Sequence, residues 1–463
     1  MSLLPMGVFI VLIILTTFIW GSISDGALWV PIFMALVIPF FFAKDKKEYS
    51  KAIIEGMASK DTAFPIATWL FAGVFSRILR LSGFAGGLAG LAGSFGVGPI
   101  MFTLISFIAA MLFSTATGTG FGTIAACMGV LYPAGIALGV EPAYLAGAIL
   151  GGAAFGDNLA PVSDSTIASA TAMAVDVPKC VKSRLKYSLP AAGLTIIMTV
   201  IVGLFLNQSN GAHEAVEYDP MSLIMFIPII ITLFIAIKTS DMISAMILGS
   251  VIASLFAVVF GLMDFIQIDV AEPAREALFT VSGEGLDRTI GGAICVGLSS
   301  MTQMIVLVVM LFSAIHIMVR GNGNIRILEA LSGMTKTAVG SEITISLMII
   351  VLSSIMGLNA PAILTVGPSF ARPLAEKHGI SRYRMANLMD AQSVTWCYSL
   401  PWTCTMMVIL GFTVGTEAPL TGVQIFKYCF FTFAMTIVLF ASIFMGVGRK
   451  DYMDDPDYAI VEE

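Results

Sequence analysis

The chain has 463 residues, of which 57% are hydrophobic and only 12% charged, with a formal net charge of −6 and a mean hydropathy of +0.94. Soluble domains carry about 25% charged residues, so this composition excludes a soluble globular protein, and the net charge says little about partners because most of the surface faces lipid. Many apolar runs reach the roughly 20 residues that cross a bilayer as a helix, whereas a β-barrel would show short alternating segments instead.

In chain order, Met6 to Trp20 is apolar without a basic flank or a small-residue cleavage site, which predicts a first transmembrane helix rather than a signal peptide. A second follows from Ala27 to Ala43. Lys44 to Lys51 reads as a basic loop, which places it and the N-terminus in the cytoplasm. Asp61 to Arg80 is the next span, with Pro65 near its start, and the glycine-rich 81–98 reads as a short tilted helix or a re-entrant segment. Pro99 to Thr115 is apolar. Ser114 to Thr123 then holds three glycines, four threonines and a serine, a poor continuous helix.

The next segments lead to Gly151–Thr166, GGAAFGDNLAPVSDST, and then to a second basic loop with Lys179, Lys182, Arg184 and Lys186. Leu189 to Leu206 is a clean span, and the acidic 207–220 is placed outside. Two spans, 221–237 and 242–262, precede a mixed acidic stretch, 264–288, that reads as an amphipathic surface helix. Beyond it come an apolar run (297–319), a weakly polar connector (322–340), a break at 356–361, and a third basic loop with Arg372, Lys377, Arg382 and Arg384. A span with Asp390, Gln392 and Thr395 ends at the break Ser399-Leu-Pro-Trp-Thr403. Phe426 to Val447 is the last helix, followed by an acidic cytoplasmic tail ending Glu462-Glu463.

Gly151–Thr166 organises the rest. It sets two carboxylates, Asp157 and Asp164, beside Asn158, Ser163, Ser165 and Thr166, while Pro161 removes a backbone donor and breaks the helix. Carboxylates at membrane depth are expensive and mark ion or substrate paths. Broken helices free carbonyls and half-helix ends that hold ions.

The two halves align without gaps at an offset of 240 residues: Arg80 falls on Arg320, Gly83 on Gly323, Pro133 on Pro373, Gly139 on Gly379 and Pro161 on Pro401, with the breaks in register. The loop 132–144 has no Lys or Arg and its equivalent 372–384 has four, while 179–186 has four and 419–426 none. Equivalent loops are therefore expected on opposite sides of the membrane. The predicted fold is an all-α polytopic membrane protein with an inverted-topology repeat and discontinuous helices. Its segments are N-terminal helices (1–60), a first repeat (61–206), a linker with connecting helices (207–299), a second repeat (300–448) and a tail (449–463).

With these residues in place, the chain resembles the NhaC family of sodium/proton antiporters, within the larger ion-transporter superfamily. Residues 151–166 resemble that family's GG-x-x-FGD-x-x-SP-x-SD-T-T pattern, 114–123 its Ser/Thr/Gly-rich break, and Ser399–Cys404 its Pro-Trp element. The resemblance implies sodium/proton antiport across a prokaryotic-type cell (inner) membrane, with both termini cytoplasmic. It leaves a second function open, a sodium- or proton-coupled transporter of a small amino acid or carboxylate. The sequence departs from the pattern at Ala160, where the family often has Ser, and at 389–396, which is less acidic than in plain antiporters.

Asp157 and Asp164 are the expected Na⁺ and proton ligands, with Asn158, Ser163 and Thr166 completing an oxygen shell. Thr117, Thr119, Asn359, Asp390, Gln392, Thr395 and Trp402 are candidates for an organic substrate. Threonines in membrane helices often bond only their own backbone, and Asp390 is equally an ion-pair partner for Arg382 or Arg384. His316 reads as a helix-packing group. No HExxH, GxSxG, CxxC or zinc-like pattern is present, so an enzyme is not expected. No cofactor is expected beyond Na⁺ and H⁺ as transported or coupling ions. The expected partners are the bilayer, a small cation and a small organic molecule, not nucleic acid, and a homodimer is compatible with the sequence.

Overall fold

The structure, a computed structural model, describes residues 2–19, 26–207, 219–239, 241–269, 276–283, 287–331, 335–413, 416 and 419–453. The expected outside placement of 208–218, the loop with Asp25 and the acidic tail beyond 453 lie outside these residues.

The first helices are α1 (Leu4–Ile13), continued by a π-type stretch Ile14–Ile19, and α2 (Gly26–Phe42). The expected basic loop at 44–51 is mostly helical. Asp45 accepts hydrogen bonds from the Lys47 and Glu48 amides and starts α3 (Lys46–Met57). Ser59 in turn caps α4 (Lys60–Leu81). After α5 (Phe84–Ser94), α6 (Pro99–Thr117) ends on Gly118 with φ +68°, a left-handed cap that favours glycine. Thr119 caps α7 (Gly120–Ala137), and Glu141 with Pro142 opens α8 (Pro142–Leu159). A four-residue break around Pro161 separates α8 from α9 (Asp164–Met173), and α10 (Val177–Asn207) follows. The second basic loop is thus the first turns of α10.

Helices α11 (Phe226–Thr239) and α12 (Met242–Val259) lead to the one exception to the helical architecture among the described residues. Where an amphipathic helix was expected, β1 (Asp264–Ile268), β2 (Ala277–Ser282) and β3 (Thr289–Gly291) form a small sheet, β1 parallel and β3 antiparallel to β2. Aromatic and β-branched residues such as Phe265, Ile266, Phe279 and Val281 favour strand over helix there. Then come α13 (Ala293–Ser299), α14 (Thr302–Arg320), α15 (Gly323–Leu331), α16 (Ala338–Met356), α17 (Ala360–Val366), α18 (Arg372–His378), α19 (Arg382–Ser399), α20 (Cys404–Thr413), α21 (Gly422–Phe426) and α22 (Phe430–Met445). Among the described residues, nine helical stretches are long and apolar enough to cross a membrane.

The 240-residue offset carries α8 onto α19 and α9 onto α20 with identical bounds. The packing repeats with the copies exchanged: α3 lies on α14 as α13 lies on α4, α9 on α17 as α20 on α7, and α8 on α22 as α19 on α10. The starts of α8 and α19 lie towards opposite ends of α10 and α22, which is consistent with an inverted repeat. At the start of α8, Tyr144 donates to the Thr199 carbonyl at 2.6 Å and packs edge-on against Tyr428. At the start of α19, the Ser381 amide donates to the Arg449 carbonyl at 2.8 Å, and Arg384 stacks over Tyr187, whose hydroxyl bonds the Val447 carbonyl. Tyr187 and Thr199 lie on one helix, roughly 18 Å apart along its axis, and Tyr428 and Val447 flank α22.

Two of the loop arginines are not loop residues at all. Arg184 and Arg384 are fully buried. Arg384 pairs with buried Glu342 at 2.8 Å, and Arg449 shares that carboxylate. The loops at 179–186 and 372–384 each keep three other Lys or Arg residues, against none in their equivalents, so this charge asymmetry survives.

Candidate functional site

The break between α8 and α9 brings its polar residues to one end of a cavity of about 440 Å³. Asp157, in the last turn of α8, is only 5% exposed. Its Oδ1 accepts a hydrogen bond from Ser163 at 2.8 Å and its Oδ2 one from Tyr398 at 2.9 Å. Tyr398 stands on α19 at the position equivalent to Asn158, and the equivalent of Asp157 itself is the buried thiol of Cys397. The repeat therefore supplies one carboxylate, not two, and its other half contributes the phenol that holds it.

Asp164 opens α9 and is exposed to the same cavity. Across from the break, the tip between α6 and α7 supplies Thr117, Gly118 and Thr119, and the start of α17 supplies Asn359. Both breaks of the first half and the first break of the second half thus line one cavity, with Tyr398 just ahead of the remaining break. The hydroxyls and amide there serve local backbone first: Thr117 donates to the Phe113 carbonyl at 2.9 Å, Thr119 accepts from the Gly122 amide, and Asn359 accepts from the Ala360 amide. Among the described residues, no three His, Cys, Asp or Glu side chains form a metal-ligand cluster. A Na⁺ shell at Asp157 and Asp164 would draw on hydroxyls and the carbonyls freed at the breaks, the hard-oxygen set this ion takes.

The remaining sequence candidates lie elsewhere. Asn158 and Thr166 are fully buried behind the cavity, not on its wall. Asp390 lies behind it too, and its ion-pair partner is neither Arg382 nor Arg384 but Arg184 of α10, with both side chains completely buried. Arg382 instead pairs with Glu376. Arg184 also donates to the Asn158 carbonyl, to Thr166 Oγ1 at 3.0 Å and, through Nε, to Asn387 Oδ1 at 3.0 Å. One guanidinium thus ties the end of α8, the start of α9 and the middle of α19 together. Thr395 bonds the Ala391 carbonyl of its own helix, and Trp402 donates to the Ser354 carbonyl at 2.9 Å. The Gln392 amide is fully buried, and neither of its polar atoms has a hydrogen-bond partner. His316 lies 3.4 Å from Glu55, beside the Arg320 pairs with Glu48 and Glu55.

Sequence reasoning missed four contributors. Lys60 and Asp61 open α4 on the cavity wall, and Asp61 lies close enough to Asp164 for the two carboxylates to repel. Tyr398 was legible only from the repeat alignment, as the partner position of Asn158. Arg184 sat among surface lysines in the sequence and carried no signal of burial.

Comparison with known proteins bears on this site. Residues 1–206 match the Na⁺/H⁺ antiporter family, a stretch that contains Asp157, Asp164 and both breaks of the first half. The chain is similar in sequence to NhaC antiporters. It is 23% identical over 443 residues to the Na(+)/H(+) antiporter NhaC of Bacillus subtilis (strain 168), covering 91% of this chain and 92% of that one. It is also 24% identical over 465 residues to the Malate-2H(+)/Na(+)-lactate antiporter of the same organism, covering 97% of this chain and 94% of that one. The Na(+)/H(+) antiporter NhaC of Alkalihalophilus pseudofirmus is 27% identical over 202 residues, covering 44% of this chain and 43% of that one. The multi-pass membrane architecture agrees with the antiporter relatives.

Proposed function

We propose that the chain is a secondary active transporter that exchanges Na⁺ for H⁺ across a prokaryotic-type cell membrane. The observation that carries this reading is Asp157, an almost wholly buried carboxylate at the end of a solvent-open cavity, held by Ser163 and Tyr398 at the crossing of two helix breaks. Burial disfavours a bare carboxylate, so Asp157 needs either a proton or a cation to neutralise it. Na⁺ and H⁺ then compete for one oxygen cage, and exchange follows if each is released on the opposite side. Asp164, Thr117, Thr119 and Asn359 would supply further oxygens, and the loops at 179–186 and 372–384 would face the cytoplasm.

Alternating access needs no new element. The two copies pack by exchanged contacts, so a rocking of one bundle against the other moves the breaks together. The experiment is Na⁺-driven proton flux in proteoliposomes with Asp157→Asn, which should insert and fold yet lose exchange. Unaltered Na⁺-dependent flux in that variant would remove the reading.

A second reading, coupled movement of a small amino acid or carboxylate, is favoured by one feature. The cavity of about 440 Å³ falls in the range of small-molecule pockets, roughly 300–1,000 Å³, and exceeds what Na⁺ alone requires. The relative that exchanges malate and lactate has the same overall length match. Competition of labelled Na⁺ binding by amino acids and by L-malate separates the two readings.

A further inference from the structure

At the other end of α4 from the cation cavity lies a second cavity, of about 270 Å³, walled by α4, α13 and the end of α20. Asp61 on the first wall and Arg77 on the second are roughly 24 Å apart along the axis of α4. Arg77 and Arg80 both line the second cavity, and their spacing of three residues puts the two guanidiniums on one face of the helix. Ser76, Val296, Ser300 and Phe412 share the wall, and among the described residues no Asp or Glu belongs to it. Arg77 forms no ion pair or hydrogen bond among the described residues, and its Nε is buried without an acceptor. A buried guanidinium N–H left in that way is costly and demands a partner. The hydroxyls of Ser299 and Ser300 already donate to the Val296 and Gly297 carbonyls at 3.1 and 2.8 Å, so the arginines set the chemistry of the cavity.

The other copy of the repeat has a different solution at the equivalent crossing. There α3 crosses α14 with Gly56 against the backbone of Ser313, as α13 crosses α4 with Gly297 against Gly73, the equivalent of Ser313. Arg320, the equivalent of Arg80, pairs with Glu48 and Glu55 of α3. The offset of 240 residues puts Arg288 and Cys295 at the places of those glutamates, and Arg77 stands where the second copy has Ile317. The contact itself is shifted by one residue, since Gly297 takes the role of Gly56, and this brings Val296 to the place of Glu55 on the cavity wall. One crossing is closed by carboxylates of its own chain, while the other carries an added cation beside an open cavity.

We propose that this second cavity is a binding site for a phosphate group, held by the guanidiniums of Arg77 and Arg80. The planar fork of an arginine matches two phosphate oxygens at once, and a charged acceptor answers the open Nε of Arg77. Its position favours phosphate. Both arginines lie in the last two turns of α4, where a membrane span gives way to the headgroup layer, and Val296 and Leu298 expose apolar side chains on α13. A phospholipid headgroup and a free phosphate ion present the same oxygens. Bound there, either does for this crossing what Glu48 and Glu55 do for the other, neutralising cations at the helix contact. The site shares no residue with the cation cavity, so it stands or falls apart from the sodium reading.

The test is binding to the purified, delipidated full chain in sodium-free detergent solution, with radiolabelled inorganic phosphate as one probe and phosphatidylglycerol, followed by native mass spectrometry, as the other. Wild type, Arg77→Gln and Val296→Glu are compared. Wild type should bind one of the two probes. Arg77→Gln should weaken that binding roughly tenfold or more, as loss of a hydrogen bond between charged groups does. Val296→Glu puts a carboxylate on the facing helix, as Glu55 does at the other crossing, and should weaken it as much; it gives the same reading should Arg77→Gln fail to fold. Phosphatidylglycerol bound without inorganic phosphate marks the site as one for a lipid headgroup, and inorganic phosphate bound alone marks it as one for the free ion. Wild type that binds neither probe, or a folded variant of either kind with unchanged affinity, overturns the site.

Discussion

Substituting Arg184→Gln removes the charge from the buried pair with Asp390 without much change in volume. Both side chains are at zero exposure, so Asp390 is left as an uncompensated buried charge. Breaking such a pair by deleting one partner costs about 3–5 kcal/mol. Gln retains part of the hydrogen bonding to Asn158 and Asn387, which puts the expected loss near the lower end of that range. At about 2.1 cal/mol/K of unfolding entropy per residue, 1 kcal/mol moves the midpoint of a 463-residue chain by about 1 °C, so the variant should melt about 3 °C below wild type. Because a stranded carboxylate neutralises itself by taking up a proton, the deficit should shrink as pH is lowered. Asp390→Asn strands the arginine instead, but Thr166, Asn387 and the Asn158 carbonyl remain as acceptors, and the cost should be smaller. The double variant restores neutrality and should be more stable than the sum of the two losses predicts, by up to about 3 kcal/mol. The assay is fluorescence-monitored thermal unfolding of the four purified proteins in one detergent at several pH values. Single variants that melt with wild type, or strictly additive losses, would refute the assignment of this pair as the tie between α10 and α19.

Three further outcomes are expected. Cysteines replacing Glu141 and Arg382, in a background without the natural six, should be labelled by an impermeant reagent from opposite sides of the membrane, and labelling of both from one side would end the inverted orientation. Gly118→Val should abolish transport, because φ is +68° and an added side chain would meet Val162 and Ser163 of the facing break; the left-handed backbone alone costs about 1–2 kcal/mol, and a variant with wild-type flux would show that the two breaks do not need this approach. Tyr398→Phe removes one of two hydrogen bonds to Asp157, worth about 0.5–1.5 kcal/mol, and should shift half-saturation for Na⁺ by up to roughly tenfold in flux assays, whereas an unchanged Na⁺ dependence would place the phenol outside the cation site.

The helical architecture, the breaks and the repeat were legible in the sequence because they rest on composition, proline and glycine placement, and charge asymmetry. Pro161 and Pro401 mark where α8 and α19 end, and Gly118 and Gly357 mark the left-handed caps of α6 and α16. The residues on the cavity wall were legible in part: Asp157, Asp164, Ser163, Thr117, Thr119 and Asn359 come together because the breaks in which they lie cross. What local sequence could not reveal is which arginine in a basic run turns inward. Lys179, Lys182 and Lys186 share a helical run with Arg184, and only the packing of α10 against α19 puts the guanidinium at Asp390. Trp402 and Thr395 illustrate the reverse case, polar groups in a suggestive motif that satisfy nearby carbonyls. The strands at 264–291 were misread because their acidic residues suggested a polar face, while their aromatic and β-branched residues set the backbone.

The central claim is that one carboxylate, Asp157, is shared in turn by Na⁺ and a proton. Its most direct measurement is proton release on Na⁺ binding, read with a pH indicator in weakly buffered detergent solution for wild type and Asp157→Asn, with ²²Na binding followed in parallel. The account predicts that wild type releases protons as Na⁺ binds, and that Asp157→Asn loses both. Na⁺ binding with no proton release in wild type, or with release intact in Asp157→Asn, would contradict it.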